Sequence, residues 1–219
     1  MPMNYGTTAG ALKPLNEALL PDIRFQFRGV ENDNSMRPFE LADLHERLTT
    51  FSKLNDCVPE SVRGQFETAK NLMLYSWFVF EFHIVGELYA YASLEFALRT
   101  RFPDAKKKRK RNGKEVDEPL TFRPLLKLAM EQKVFNAEKL PTWDWAKYKS
   151  EWYRKKFNQG DSNDRTADEW LQMVIEYISD FRDTLAHGNP RLYFESSIDH
   201  LEICADLINQ LFLHQLKNS

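Results

Sequence analysis

The residues best suited to chemistry lie together in Phe181–Pro190, FRDTLAHGNP. Arg182 stands five positions before His187, Asp183 follows the arginine, and Gly188-Asn189-Pro190 closes the stretch. Five residues of ideal helix rotate by about 140°, so Arg182 and His187 converge only if the helix loosens at its end. Gly188 and Pro190 predict that loosening, because glycine suits the C′ position and proline bars continuation. Asp183 is four residues before His187, close enough along one face to accept a hydrogen bond from the imidazole. A helix C-terminus favours the charged imidazole too. A histidine biased toward its cation, beside a guanidinium that keeps its proton, suits binding or cleaving a phosphodiester. The histidine would trade protons with the 2′-hydroxyl or the leaving oxygen, and the arginine would stabilise phosphorane-like charge. That chemistry requires no metal. The spacing alone is common, and a C-capping histidine with a surface arginine is its plain structural alternative.

Two helices must position this stretch. Thr166-Ala-Asp-Glu169 reads as a capping box. Trp170, Met173, Val174, Tyr177, Ile178, Phe181 and Leu185 then keep the spacing of a buried stripe. Ser196 or Ser197 is expected to cap a final helix that turns Ile198, Leu201, Ala205, Ile208 and Phe212 inward. Upstream, 20 of the 27 residues from Leu72 to Leu98 are apolar, Tyr or Trp, which predicts a long central helix of a bundle. With Ser61 as its cap and an end near Phe102 it would be about 60 Å long, so a bend near Gly86 or a projecting end is expected. Glu81, His83, Glu87 and Glu95 interrupt it too often for a membrane span. His83 with Glu87, and Glu95 with Arg99, are i, i+4 pairs that read as buried pairs or dimer contacts. A supporting role beside the site is the alternative for Glu95, and Asn189 is a second candidate for support. His45, His200 and His214 show no partner pattern.

The rest of the chain reads as follows. Residues 1–37 form an arm in which Ile23, Phe25 and Phe27 alternate with polar residues, a short strand signal. A helix is expected from Phe39 to Leu54 and another over 121–132. Between them, 104–119 carries KKKRKR and reads as a flexible loop. TWDWAKYKSEWYRKKF, 142–157, predicts a basic helix on which Trp145, Tyr148 and Trp152 share a face. Those aromatics are expected to anchor the helix on the core, with base stacking as the alternative. NQGDSND, 158–164, reads as a loop. The sum is an all-α, up-down bundle: an arm over 1–37, then one helical domain over 38–219 with an insertion at 104–160.

Charge separates these parts. Residues 104–157 hold 16 Lys and Arg against 8 Asp and Glu, while residues from 158 onward hold 4 against 11. The basic insertion could offer a polyanion a docking face. Lys107, Lys108, Arg109, Lys110, Arg111, Lys147, Lys149, Arg154 and Lys155 are the candidates for RNA contact, against the alternative of a solvated insertion. Cys57 and Cys204 form no metal or redox spacing and read as reduced thiols of a cytoplasmic protein. The first residues lack the basic start and apolar run of a signal peptide. No phosphate loop, HExxH, nucleophile elbow or paired-carboxylate motif is present, and no cofactor is expected.

R-D-T-L-A-H-G resembles the R-x4–6-H signature of the HEPN superfamily, in which a polar residue follows the arginine and apolar residues fill the gap. Gly86–Arg99, GELYAYASLEFALR, is similar to the core helix of bacterial HEPN proteins. The resemblance covers roughly 60–215. It implies a helical bundle that homodimerises so that two R-x4-H motifs meet at one composite site. It also implies a metal-independent endoribonuclease of phage defence, toxin–antitoxin systems or RNA processing, with an antitoxin or defence-system protein as partner. His187 would be the acid/base, Arg182 the transition-state stabiliser and Asp183 the orienting residue. HEPN toxins paired with nucleotidyltransferase antitoxins carry Tyr two residues after the histidine. Asn189 stands there in this chain, so the resemblance stops short of that subtype. A bundle that only binds RNA, a nucleotide or a protein is the second expectation, and a module that dimerises through its long helix is the third.

Overall fold

A computed structural model describes residues 6, 11–32, 35–111, 114–157, 165–186 and 194–213. Among the described residues it is mostly helical, with about two thirds of them in helix and only two small sheets. Seven α-helices are described: α1 Leu41–Thr50, α2 Glu60–Tyr75, α3 Phe82–Arg101, α4 Phe122–Glu131, α5 Pro141–Phe157, α6 Ala167–Ala186 and α7 Phe194–Leu213. None of them is long and apolar enough to cross a membrane.

The long central helix expected over 61–102 is two helices, α2 and α3, packed against each other as a hairpin. The break falls at 76–81, before Gly86. Ser76 starts it: its hydroxyl donates to the Met73 carbonyl at 2.5 Å, and its amide contacts both the Leu72 and Met73 carbonyls. Trp77 N–H then bonds three residues back, to Leu74, so the helix tightens and ends. The freed Trp77 carbonyl accepts from Asp22 N–H at 2.8 Å, and the arm thereby seals the break. Gly86 has a different role from the bend expected of it. A Cβ there would lie 3.0 Å from the Met73 amide nitrogen and 3.1 Å from the Ala69 carbonyl oxygen. The residue is small because two helix backbones touch at it. Pro59, not Ser61, stands at the N-cap of α2.

Helix α3 packs against α2, α4, α6 and α7. Along α3 and α7 the contacts advance together, from Phe80–Phe194 through His83–Ser197 to Glu87–His200, so these helices run parallel. The predicted inward residues Ile198, Leu201, Ala205, Ile208 and Phe212 are all buried. Helix α7 begins at Phe194, earlier than expected, so Ser197 lies inside it with a buried side chain rather than at its cap. The capping box of α6 forms: Thr166 N–H donates to Glu169 at 2.8 Å and Glu169 N–H to the Thr166 hydroxyl at 3.3 Å. Of the expected α6 stripe, Met173 and Tyr177 are about 40% exposed and the others buried.

The strand expected at Ile23–Phe27 is a 3₁₀ turn, started by Asp22, whose carboxylate accepts from Arg24 N–H at 3.0 Å. Alternation in so short a run does not separate the two, and a local cap decides for the turn. The turn drops Phe25 into a cluster with Phe39, Trp77, Phe80 and Phe194. The strands of this region are β1 Gly29–Asn32 and β2 Ser35–Pro38, paired antiparallel. The expected flexible loop over 104–119 is a second antiparallel hairpin, β3 Lys106–Arg111 with β4 Lys114–Pro119. Opposite charges face each other across it at Lys107–Glu118, Lys108–Asp117 and Lys110–Glu115.

Candidate functional site

Arg182 lies just before the last turn of α6, four residues from Ala186. Phe181 and Leu185 are buried and fix the rotation of the helix, which leaves Arg182 half-buried at the edge facing α3. There its Nη2 donates to Glu95 Oε2 at 3.1 Å, and Arg99 Nη2 donates to the other carboxylate oxygen at 2.7 Å. Arg182 Nη1 also donates to Asp183 at 3.2 Å. One carboxylate from α3 thus holds two guanidinium groups, and the N–H donors of Arg182 that these bonds leave can take an anionic oxygen. The structure brings Glu95, the expected support, to Arg182. His187, Gly188, Asn189 and Pro190 lie outside the described residues.

Eight residues earlier on α3 is a second carboxylate centre, which sequence reasoning missed. Glu87 is 1% exposed and accepts three hydrogen bonds: from Tyr91 at 2.6 Å, His200 Nδ1 at 2.5 Å and Ser197 at 2.6 Å. Burial pushes the Glu87 carboxyl up, but His200, Ser197 and Tyr91 outweigh it and hold it below its ordinary value. Burial and the Glu87 charge raise the Tyr91 hydroxyl well above its usual range. The rings of Tyr177 and Phe181, from α6, pack on His200 at 5.0 and 5.8 Å. His83, expected to pair with Glu87, instead meets Ser197 through Nδ1 at 2.9 Å, and burial lowers its pKa to about 4. His200 does have a partner, contrary to expectation. Polar residues at i, i+3 inside an apolar helix, Ser197 and His200, were the available signal.

The basic candidates fall into two groups. Lys107, Lys108, Arg109, Lys110 and Arg111 make up the exposed strand β3. Lys147, Lys149 and Lys155 lie on α5, and the side chain of Arg154 is outside the described residues. Lys149 pairs with Asp199 of α7 at 2.7 Å and lies over Trp145, while Lys147 pairs with Asp144 at 3.0 Å. The expected aromatic anchor is corrected. Trp143 secures α5 by packing on Trp170 at 5.4 Å, whereas Trp145, Tyr148 and Trp152 are 46%, 56% and 38% exposed. Trp145 and Tyr148 stack nearly parallel at 5.2 Å on that outer face. Among the described residues no hydrogen bond or ion pair links these cations to Arg182.

A cavity of about 460 Å³ opens between α1, α5 and α7, lined by Arg47, Phe51, Trp145, Glu202 and Asp206 among others. Burial raises the carboxyls of Glu202 and Asp206. Both are engaged, Glu202 by Arg47 at 2.6 Å and Asp206 by the Thr142 amide and hydroxyl at the start of α5. Among the described residues no group of His, Cys, Asp and Glu is arranged to hold a metal ion.

This chain matches no family model, no curated protein and no solved structure. Fold and geometry define a mainly helical protein with a half-exposed, carboxylate-held arginine at the end of α6, directly before the histidine-bearing segment.

Proposed function

We propose that the protein is a metal-independent endoribonuclease of the HEPN type, acting in phage defence, a toxin–antitoxin system or RNA processing. One observation carries the reading: Glu95 of α3 orients the Arg182 guanidinium while leaving it half-exposed, five residues before His187. An arginine so placed can clamp a phosphodiester and stabilise charge on its oxygens. His187 would move the proton between the 2′-hydroxyl and the leaving oxygen, and Asp183 would restrain Arg182. A homodimer would supply the second arginine and histidine of a composite site. An antitoxin or other defence-system protein would be the regulatory partner.

The test is cleavage of RNA by the purified protein in EDTA. The expected result is cutting that leaves 2′,3′-cyclic phosphate ends and is lost in His187→Ala. Equal cleavage by that variant would refute the assignment. A second reading is a HEPN-like bundle that binds RNA, a nucleotide or a protein without cutting. It is favoured by the ion pairs that already neutralise Arg182, and by the exposed Trp145–Tyr148 stack with Lys149 over it. RNA retained and recovered intact would favour this reading.

A further inference from the structure

Pairing in the β3–β4 hairpin sorts the basic run by face. Successive strand side chains point to opposite sides, and directly paired residues share a side. One face therefore carries Lys107, Arg109, Arg111 and Lys114 with a single acid, Glu118. The other carries Lys106, Lys108 and Lys110 with two acids, Asp117 and Glu115. Four cations against one anion stand on the first face, three against two on the second. On the first face Arg109 reaches Glu118 at 3.4 Å, and Arg111 lies directly opposite another cation, Lys114.

Stability does not account for this arrangement. Like charges directly opposite one another, as at Arg111 and Lys114, weaken a strand pair, and the one acid of this face, Glu118, stands opposite Lys107 instead. Burial does not account for it either, because every residue of β3 is exposed. The hairpin is rooted where α3 ends, with Leu120 N–H bonded to the Ala105 carbonyl at 3.0 Å, and its strands extend from there. We propose that the face bearing Lys107, Arg109, Arg111 and Lys114 docks on the sugar–phosphate backbone of double-stranded RNA. Cations two residues apart on a strand are spaced by about 7 Å, similar to successive phosphates along one nucleic-acid strand. The hairpin has no aromatic side chain, and its one large apolar residue on this face is Val116. It therefore offers no aromatic platform for bases, and binders of single strands depend on aromatic stacking. A duplex read by its backbone and shape requires only such cations.

This proposal shares with the ribonuclease reading only the polymer, and the two can fail separately. The probe is a 2′-O-methyl RNA duplex, which keeps the backbone charge but lacks the attacking hydroxyl, with a single strand of equal length beside it. Binding of the full chain is measured by fluorescence anisotropy from low to moderate salt. Two triple variants are compared, K107Q/R109Q/R111Q and K106Q/K108Q/K110Q. They remove the same charge from the same strand, and matching melting curves show that both fold. The first is expected to weaken duplex binding at least tenfold and to reduce the salt slope by roughly 3. The second is expected to change affinity less than threefold. Equal losses in the two variants would overturn the proposal in favour of net charge alone. So would a single strand bound as tightly as the duplex, or no duplex binding at low salt. Cleavage of ordinary RNA by wild type and His187→Ala, measured alongside, decides the ribonuclease reading whatever the hairpin does.

Discussion

Glu87 and Glu95 stand two turns apart on α3, and each collects hydrogen bonds from neighbouring helices. Glu87 is sealed: its donors are Tyr91, Ser197 and His200, and its side chain is 2% exposed. Glu95 holds Arg99 and Arg182 at the surface, and Arg182 keeps 35% of its side chain in solvent. The same carboxylate chemistry therefore serves different ends. A closed set of partners fixes α3 against α7 and has nothing left for a ligand. An open set aims a cation and still leaves it able to meet an anion.

The largest test of that contrast is Glu87→Ala. It strands three buried donors, each costing about 1–3 kcal/mol when unpaired, and the costs do not simply add. A loss of about 3–5 kcal/mol in urea unfolding is expected. A loss below about 1 kcal/mol would mean that the hub does not hold α3 to α7. Arg182→Ala should do the reverse. Stability should change by no more than about 1 kcal/mol, as for an exposed ion pair. RNA cleavage under the ribonuclease reading should fall by about 10²–10³-fold. Unfolding of this variant at 37 °C would place Arg182 with Glu87 as an architectural group.

The closed centre should also report on pH. Burial lowers the His83 pKa to about 4, against about 6.5 in the unfolded chain. Above pH 6.5 the imidazole is neutral in both states and its full contribution is present. As pH falls from 6.5 toward 4, only the unfolded chain takes the proton, so stability declines across that window. The decline should be on the order of 2–3 kcal/mol, read from urea midpoints at pH 7 and 4.5. His83→Gln should flatten it. An equal decline in that variant would assign the effect to other groups.

Periodicity and caps made most of the helices legible. The box at Thr166 and the apolar stripe to Leu185 mark α6, and the inward set of α7 follows its spacing. The α2–α3 break was hidden because Trp77, Phe78, Val79 and Phe80 read as more helix core. The break is set by Ser76 on the Met73 carbonyl and sealed by the arm, through the Asp22 amide on the Trp77 carbonyl and Phe25 in the aromatic cluster. The β3–β4 hairpin did have a local signal, Asn112-Gly113 between the strands, which the charge run masked. Of the site, the arginine and its motif were visible, and so was Glu95 as an i, i+4 partner of Arg99. Glu87–His200 was not, because it joins residues 113 apart that neither helix announces alone.

Gly86 sharpens the contrast from the packing side, since it lies beside Glu87 in the closed region. Adding a methyl there meets the Met73 amide nitrogen at 3.0 Å, which is backbone and cannot swing aside. Overpacking of this kind costs about 1–3 kcal/mol, and the better helix propensity of alanine returns up to about 1 kcal/mol. Gly86→Ala should therefore lose about 1–2 kcal/mol in chemical denaturation. A gain would show that α2 and α3 have room to separate.

Glu95→Gln is the smallest change and the most direct comparison with Glu87. The amide keeps size and one acceptor but loses the charge that holds Arg99 and Arg182. Because both cations face solvent, water replaces much of what is lost, and stability should change by less than about 1 kcal/mol. Arg182 would then lose its anchor on α3 and sample more orientations around Asp183. Under the ribonuclease reading, about 1 kcal/mol of lost positioning is roughly a fivefold fall in cleavage rate. Arg182→Ala should conceal that fall, since Glu95 acts only through the arginine, and a double-mutant cycle measures this. Additive losses in the cycle would break the link between Glu95 and Arg182. Glu95 would then serve only Arg99 on its own helix.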